Sequence, residues 1–481
     1  MDNDAYELVI GLEVHAQLST ASKLFCADDA GFGGSPNSHV STLSLAHPGT
    51  LPVLNKKAVE YALRLGLALD CTIHPVSHFA RKNYFYPDLP KGYQISQHTD
   101  PICTGGFVEI PASNGSGRIL LNRIHIEEDA GKSIHDAASS ETLLDFNRAG
   151  VALLEIVTEP VIHSAEEAAR YLTSLRKTVR WLDICDGNME EGSFRCDVNL
   201  SVRPMGATQL GTRVEIKNLN SIRHVKQAIA IEAERLTELA RSGQVIKQET
   251  RSYDEAANTT FALRSKEEAE DYRYFADPDL PPVRISEEFI SEVRASMPET
   301  ATALQQKFRE HYGLSEYDAE YLCGERELAA YFEAVANVNG HYKPVANWLM
   351  GPVQSHLNAA GKKLAEFELS PATLSSLILL VENGTLSFSQ ASGRIFAELL
   401  KSPGEEALVI AHRLQLVQES DSGTLEAWIE QVLESLPEKV KEYRSGKKGL
   451  LGLFAGEVKK RSKGKADMEQ VMRLLSEKLG R

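Results

Sequence analysis

The stretch VIGLEVHAQL, residues 9–18, alternates strictly between apolar and polar positions. Ile10, Leu12 and Val14 fall on one parity, whereas Glu13 and His15 fall on the other. A period of two residues is typical of a strand with one buried face. An acid and an imidazole on the other face leave two interpretations open, a solvated strand face or half of a metal site.

The composition is that of an ordinary folded protein. The chain has 481 residues, 42% hydrophobic and 25% charged, which predicts about two to four domains. No apolar run approaches the roughly 18 residues of a membrane span, and the acidic start MDNDAYELV is unlike a signal or transit peptide. We therefore expect a cytoplasmic protein with no membrane partner. The six cysteines form no C-x-x-C pair, which favours reduced, mostly buried thiols.

The charge is unevenly distributed along the chain. A net charge of −15 argues against a general nucleic-acid binder. Residues 437–481, however, carry 13 Lys and Arg against 6 Asp and Glu, a net of +7, while the remainder carries 39 against 61, a net of −22. This basic end predicts a local surface for a polyanion, with a solvated helix face as the alternative.

Residues 1–292 mix strand and helix patterns, with more strands than crossover helices. We therefore predict an α+β fold with a mainly antiparallel sheet. Helices are predicted from about Ala165 to Leu182 and from Ser221 to about Ser242. Helical periodicity then predicts a helical domain over 293–402 and a helical tail over 403–481, divided at Ser402-Pro-Gly404. The clearest predicted strands are 8–18, 117–127, 151–158, 194–203 and 212–217.

Four segments place acids on strand faces. They are VIGLEVHAQL (9–18), RIHIEEDAGKS (123–133), ALLEIVTEP (152–160) and GSFRCDVNLSVRP (192–204). Each alone could be an ordinary strand with a solvated face. If the strands lie side by side, the polar groups converge on one concave face at Glu13, His15, Glu128, Glu155 and Asp197. So many carboxylates require a cation, and mostly oxygen ligands favour Mg²⁺ or Mn²⁺ over zinc.

Magnesium held by carboxylates usually completes its shell with water and phosphate oxygens, so the pattern indicates a nucleotide such as ATP. GKS at 131–133 is not a phosphate loop, because the glycine required five residues earlier is Ile126. The segment RKNYFYPDLPKGYQISQ (81–97) is either a surface loop with cation–aromatic stacking or a nucleotide or substrate site. The candidate ATP or substrate contacts are Lys82, Tyr84, Lys91 and Arg195, with Lys82 for the γ-phosphate.

These segments, with EIKNLNS (215–221) and DYRYFADPDLPP (271–282), resemble the successive signatures of the GatB/GatE family, whose members are subunits of the glutamyl/aspartyl-tRNA amidotransferases. The resemblance runs from residue 6 to the end of the chain. GLLGLFAGEVKKRSKGKAD (449–467) is similar to the YqeY-type tail of bacterial members.

The resemblance implies a catalytic cradle related to glutamine synthetase. The cradle would use ATP and Mg²⁺ to phosphorylate the side-chain carboxylate of Glu on tRNA(Gln) or Asp on tRNA(Asn). Ammonia from glutamine would then displace phosphate. The chain has no amidase signature, so a separate subunit, GatA, would hydrolyse glutamine. GatC would complete a heterotrimer, and a non-discriminating aminoacyl-tRNA synthetase is a further candidate partner.

The family's metal and phosphoryl-transfer residues fall on Glu13, His15, Glu128, Glu155 and Asp197. The basic tail would bind tRNA phosphates without reading sequence. Its candidate residues are Lys447, Lys448, Lys459, Lys460, Arg461, Lys463 and Lys465.

One departure from the family concerns zinc. Many bacterial members carry Cys-x-Cys and Cys-Pro-x-Cys ligands, whereas this chain has Cys26-Ala-Asp28 and Ser41-Thr-Leu-Ser44. We therefore expect no structural zinc and a loop of residues 24–50 that is held by other contacts.

Two other classes of function stay open. One is a non-catalytic tRNA-binding scaffold, which the acids on four strands disfavour. The other is a self-contained ligase that amidates a small free acid, which the basic tail disfavours.

Overall fold

The computed structural model describes residues 5–112, 115–135, 141–265, 272–417, 422–462 and 465–480. It divides into two compact units, the first ending at Glu299 and the second beginning at Thr300. The predicted division after residue 292 lies close to this boundary, and the one after residue 402 lies inside the second unit. Within the described ranges, no helix is long and apolar enough to cross a bilayer.

The first unit combines one large sheet with four helices. The helices are α1 (Lys56–Ala68), α2 (Ala165–Trp181), α3 (Ile222–Arg241) and α4 (Glu287–Ser296). The strands are β1 (Tyr6–Gln17), β2 (Thr72–Ile73), β3 (Val76–Ser77), β4 (Ala80–Asn83), β5 (Tyr93–Ser96), β6 (Cys103–Thr104), β7 (Phe107–Ala112), β8 (Gly115–Glu128), β9 (Lys132–His135), β10 (Thr142–Asp145), β11 (Ala152–Thr158), β12 (Phe194–Pro204), β13 (Val214–Lys217), β14 (Glu249–Asp254), β15 (Thr259–Ser265), β16 (Phe275–Ala276) and β17 (Val283–Arg284).

The main path of the sheet has the strand order β15-β14-β13-β12-β1-β11-β8-β5-β4-β16. Among the described strand pairs, β13 and β14 are parallel and joined through α3, while the other pairs are antiparallel. The predicted α+β fold with a mainly antiparallel sheet is confirmed. All four acid-bearing segments form adjacent central strands, in the order β12, β1, β11 and β8.

The hydrophobic core lies on one side of these central strands. Ile10, Leu12 and Val14 of β1 are fully buried in it, together with Tyr171 and Leu175 of α2. Each large apolar side chain that leaves water contributes about 1.5–3 kcal/mol. Burial of the even-numbered positions of β1 therefore determines that Glu13 and His15 point to the opposite face of the sheet.

The two predicted helices begin at side-chain caps. Ser164 Oγ accepts a hydrogen bond from Glu167 N at 3.1 Å, and Ser221 Oγ accepts one from His224 N at 3.1 Å. Such caps satisfy amide groups that the first helical turn leaves unpaired. The sequence placed both helix starts correctly.

Asp28 is the centre of the contacts that hold the loop of residues 24–50. Its Oδ2 accepts hydrogen bonds from Ser41 N at 2.9 Å, Ser41 Oγ at 3.0 Å and Ser44 Oγ at 2.5 Å. Burial raises the pKa of Asp28, but these bonds from Ser44 and Ser41 and one from Cys26 lower it overall. Burial raises the pKa of Cys26 to about 11. The residues at the family's zinc-ligand positions therefore meet through hydrogen bonds.

The second unit is helical throughout its named elements. Tight helical segments also occur at Leu349–Val353, Leu364–Glu366, Ala391–Ile395 and Lys448–Leu450. Residues between Leu425 and Leu479 form a hydrophobic cluster of their own. The helices are α5 (Ala301–Glu310), α6 (Glu316–Leu322), α7 (Arg326–Asn339), α8 (Tyr342–Trp348), α9 (Gln354–Ala360), α10 (Pro371–Glu382), α11 (Phe388–Gln390), α12 (Phe396–Lys401), α13 (Ala407–Arg413), α14 (Ser422–Ser435), α15 (Pro437–Arg444), α16 (Leu451–Arg461) and α17 (Met468–Gly480).

Candidate functional site

A polar face crosses the four central strands of the sheet. The antiparallel register places His15 of β1 opposite Glu155 of β11 on one side and Arg195 of β12 on the other. Glu155 in turn lies opposite His125 of β8. Glu13, two residues before His15, lies opposite Asp197. Facing positions in neighbouring strands are within side-chain contact distance, so these groups form one continuous surface.

The first cluster on this face consists of His15, Glu127 and Glu155. One donor atom from each lies within 4.8 Å of the others. His15 Nε2 is 3.5 Å from Glu127 Oε1 and 3.6 Å from Glu155 Oε2. The buried His125 is beside them, with its Nε2 3.3 Å from Glu155 Oε2 and 3.7 Å from Glu127 Oε2.

The protonation of this cluster follows from its charges. Burial alone would lower the pKa of His15 and of His125, but the neighbouring Glu155 and Glu127 raise both, that of His125 to about 9. Burial would raise the pKa of Glu155, whereas His125 and His15 hold it well below its usual range. The two carboxylates are therefore ionised and available as ligands, since imidazolium charge balances them in the absence of a metal.

The second cluster consists of Glu13, Asp197 and Glu215, whose donor atoms also lie within 4.8 Å of one another. Asn199 Nδ2 donates to Glu13 Oε1 at 2.9 Å. Lys217 Nζ contacts Asp197 Oδ2 at 2.5 Å and Glu215 Oε1 at 3.2 Å. Burial and the charges of Glu155 and Asp197 raise the pKa of Glu13. Crowding of this kind is relieved when a cation binds.

The donor sets of both clusters suit Mg²⁺ or Mn²⁺. Magnesium bonds to oxygen at about 2.1 Å, so two ligands on opposite sides of one ion are about 4 Å apart. Carboxylate oxygens with one imidazole are ligands that these ions accept, and incomplete protein shells leave positions for water and phosphate. The residues present therefore fit a divalent cation.

Glu128 does not join this face, contrary to the predicted convergence of five residues. It shares the parity of Ile124 and Ile126, which are fully buried in the core. Its Oε1 accepts from Ile95 N at 2.9 Å and its Oε2 from Lys91 Nζ at 2.6 Å. The pleat of β8 thus turns Glu127 toward His15 and Glu128 to the other side.

Three residues of this face were not predicted from the sequence. They are Glu127, His125 and Glu215. Counting parity from Ile124 and Ile126 would have identified Glu127 and His125, because a strand alternates its faces without exception over this length. Glu215 was visible as a polar position in the alternating VEIK of β13.

The predicted ATP or substrate contacts occupy different places. Arg195 lies on the polar face beside His15 and contacts Asp129 Oδ2 through its Nη2 at 2.7 Å. Lys82 Nζ lies 4.9 Å from the centre of the Tyr272 ring and 5.7 Å from that of Tyr84. Lys91, by contrast, pairs with Glu128 away from the two clusters. Arg195, Lys82 and Tyr84 therefore remain candidates for nucleotide or substrate binding.

The candidate tRNA contacts lie in the second unit. Lys447 pairs with Glu442 at 3.1 Å, and Lys448 Nζ lies 4.4 Å from the centre of the Tyr443 ring. Lys459, Lys460 and Arg461 are exposed at the end of α16, and within the described part of the chain no carboxylate lies within 4.0 Å of them. Lys465 is half-buried, and Lys463 lies outside the described residues.

Comparison with known proteins covers nearly the whole chain. Residues 8–291 match the GatB/GatE catalytic domain, and residues 330–479 match the GatB domain. Three relatives are named as an aspartyl/glutamyl-tRNA(Asn/Gln) amidotransferase subunit, in each case the one designated B. That of Nitratidesulfovibrio vulgaris is 48% identical over 99% of this chain and 100% of the relative. That of Oleidesulfovibrio alaskensis is 50% identical over 99% of both, and that of Geobacter sulfurreducens 49% over 98% and 99%.

A sheet face with two carboxylate clusters, a catalytic-domain match over the first unit and full-length similarity at about half identity agree with one another. The chain belongs to the GatB/GatE family.

Proposed function

We propose that this chain is the GatB component of a tRNA-dependent amidotransferase. It converts Glu on tRNA(Gln), Asp on tRNA(Asn), or both to the corresponding amide, using ATP and ammonia. The observation that carries this proposal is the pair of carboxylate clusters on one face of the catalytic-domain sheet. The first unit acts as the catalytic cradle, with an antiparallel sheet of the glutamine synthetase kind as its floor.

Phosphorylation is needed because a carboxylate is a poor electrophile. In the first step, a side-chain oxygen of the substrate forms a bond to the γ-phosphorus of ATP, and ADP leaves. In the second step, the nitrogen of ammonia attacks the acyl carbon and inorganic phosphate leaves. The protein's task in the first step is mainly charge neutralisation and in-line positioning.

The residues of the two clusters divide this task. His15, Glu127 and Glu155 would hold one Mg²⁺ and Glu13, Asp197 and Glu215 a second. The bound cation supplies positive charge to the phosphate oxygens during phosphoryl transfer. Arg195, oriented by Asp129, places a further fixed charge beside the first cluster. Lys82 is placed to contact a phosphate group at the edge of the face.

The partners follow from the chemistry that the chain lacks. GatA would hydrolyse glutamine and supply the ammonia, and GatC would complete the heterotrimer. The exposed cations at the end of α16 would contact tRNA phosphates. A non-discriminating aminoacyl-tRNA synthetase would supply the mischarged tRNA.

The decisive experiment reconstitutes the chain with GatA and GatC. Wild type should form amide on Glu-tRNA(Gln) or Asp-tRNA(Asn) with ATP cleavage. Glu127→Gln should abolish tRNA-dependent ATP cleavage while glutamine hydrolysis continues. Glu109→Gln, an exposed position on β7, is the matched control and should behave as wild type. Unchanged ATP cleavage in Glu127→Gln would refute the site.

The same assay separates the two rival functions. A non-catalytic scaffold would bind tRNA but show no ATP-dependent amide. A self-contained ligase would amidate free glutamate or aspartate without tRNA.

A further inference from the structure

An aromatic cluster continues the polar face toward the edge of the sheet. It consists of Tyr84, His98, Tyr272 and Tyr274. The His98 and Tyr274 rings are stacked, with centroids 3.8 Å apart and planes 6° from parallel. Tyr272 makes edge contacts with both Tyr84 and Tyr274, each at 6.0 Å.

Strand register places this aromatic cluster on the same side of the sheet as the metal-binding candidates. Ser96 of β5 is paired with Glu127, and its Oγ donates to Glu127 Oε2 at 3.4 Å. His98 follows Ser96 by two residues. At the next edge, Phe275 of β16 is paired with Arg81 of β4, and that guanidinium lies over the Phe275 ring on the other face. The alternate residues therefore share the face of the clusters.

Electrostatic effects agree with this placement. The pKa of His98 is lowered by burial and then by the positive charges of Arg123 and His125. Burial and neighbouring groups, including Glu127, raise the pKa of Tyr274 to about 12. The aromatic cluster is therefore close enough to the first metal cluster to share its field.

Lys82 supplies a cation to the aromatic cluster. Its Nζ lies over the Tyr272 and Tyr84 rings. Among the residues that the structure describes, no carboxylate lies within 4.0 Å of this ammonium group, although the same face carries five carboxylates in its two clusters. Aromatic rings beside an unneutralised cation form the combination that binds a nucleotide, since the rings stack on the base and the cation contacts a phosphate.

We propose that Tyr272, Tyr274 and His98 form a stacking platform for a nucleobase, and that the base is the terminal one of the tRNA acceptor strand. This inference rests on the proposed function. The reacting carboxylate is joined to the terminal base only through the aminoacyl chain and the ribose. The terminal base must therefore be held close to the phosphoryl-transfer site, and unpaired RNA ends are commonly bound on aromatic side chains.

The burial of the cluster supports a binding role over a purely structural one. Aromatic residues that only fill a core are enclosed, as Phe308 and Phe332 are in the second unit. His98 is exposed, and Tyr272 and Tyr274 are half-buried. A base therefore has ring surface to contact.

The test uses a full-length tRNA(Gln) transcript whose terminal adenine is replaced by 2-aminopurine, a fluorescent base that stacking quenches. Binding to the full chain should quench the fluorescence. Tyr274→Ala should remove most of the quenching and raise Kd roughly 5- to 100-fold, while Tyr274→Phe should retain both. Phe261→Ala, which alters a 47% exposed aromatic at the opposite edge of the sheet, is the control and should behave as wild type.

A second arm distinguishes the two sources of a nucleobase. 2-Aminopurine riboside triphosphate replaces ATP, and its fluorescence should not respond to Tyr274→Ala. Quenching of this triphosphate alone, or unchanged RNA quenching in Tyr274→Ala, would overturn the proposal. Tyr272→Leu, which removes a ring but keeps an apolar side chain, gives the same comparison if Tyr274→Ala fails to fold. The signal requires no turnover, so loss of amide formation with quenching intact would count only against the proposed reaction.

Discussion

His15 Nε2 lies 3.6 Å from Glu155 Oε2 across the antiparallel pair β1–β11. The two residues are 140 positions apart in the chain, and the register of two strands brings them together. With Glu127 they form a ligand set whose charge is balanced by imidazolium in the absence of a metal. A divalent cation that binds here takes over that balancing charge.

Thr250 orients one ligand of the second cluster. The parallel pairing of β13 and β14 places buried Thr250 beside Glu215, and its Oγ1 donates to Glu215 Oε2 at 2.9 Å. Thr250→Val keeps the shape of the side chain but removes this bond, so the Mg²⁺ concentration for half-maximal ATP cleavage should rise roughly 10-fold. Thr250→Ser should restore the wild-type value. Equal Mg²⁺ dependence in the wild-type and Val enzymes would exclude this role.

Asp28 should stabilise the first unit as an anion. Asp28→Asn removes charge-assisted bonds from Ser41 and Ser44, so the free energy of unfolding should fall by about 1–3 kcal/mol at pH 7. The folded-state pKa of Asp28 is below its unfolded value. Its contribution is therefore complete above the unfolded pKa and is lost as pH falls through the folded one.

Denaturant titrations of wild type and Asp28→Asn should therefore converge as pH falls below about 4. A difference that persists unchanged at low pH would rule out an anionic role. Metal analysis of the purified protein provides a second check. Stoichiometric zinc would contradict a loop held by hydrogen bonds alone.

The end of α16 should bind tRNA through charge alone. Replacing Lys459, Lys460 and Arg461 with Glu should raise the KM for tRNA, because three exposed cations become anions. Each lost phosphate contact lowers the slope of log K against log salt by about 0.9, so the slope should fall by roughly 2 to 3. Glutamine hydrolysis by the complex should be unaffected. Replacing Lys439 and Lys441, which pair with Glu442 and Glu438, is the control, and an equal effect there would show a nonspecific charge requirement.

The strands and the acidic face were predictable because both depend on local alternation. VIGLEVHAQL contains its own register, and Ile10, Leu12 and Val14 are buried as that register requires. The choice between Glu127 and Glu128 was harder, since three consecutive acids occupy both parities at the end of β8. The resemblance to known family members suggested Glu128, while the pleat of the strand turns Glu127 to the face.

The aromatic cluster could not be derived from the sequence. Tyr84 and His98 flank a loop and a short strand, whereas Tyr272 and Tyr274 lie more than 170 positions later. Their meeting depends on the pairing of β16 with β4, and two-residue strands leave no periodicity to detect. The motifs indicated functional segments, but only the tertiary structure brings them together.

Binding of Mn²⁺ to the full chain, followed by the electron paramagnetic resonance of the free ion, tests the cation site most directly. We expect saturable binding that Glu127→Gln weakens at least 10-fold and Glu128→Gln leaves within about twofold, because Glu127 faces His15 and Glu128 faces Lys91. Equal loss in both variants, or loss in Glu128→Gln alone, would contradict the assignment of the site.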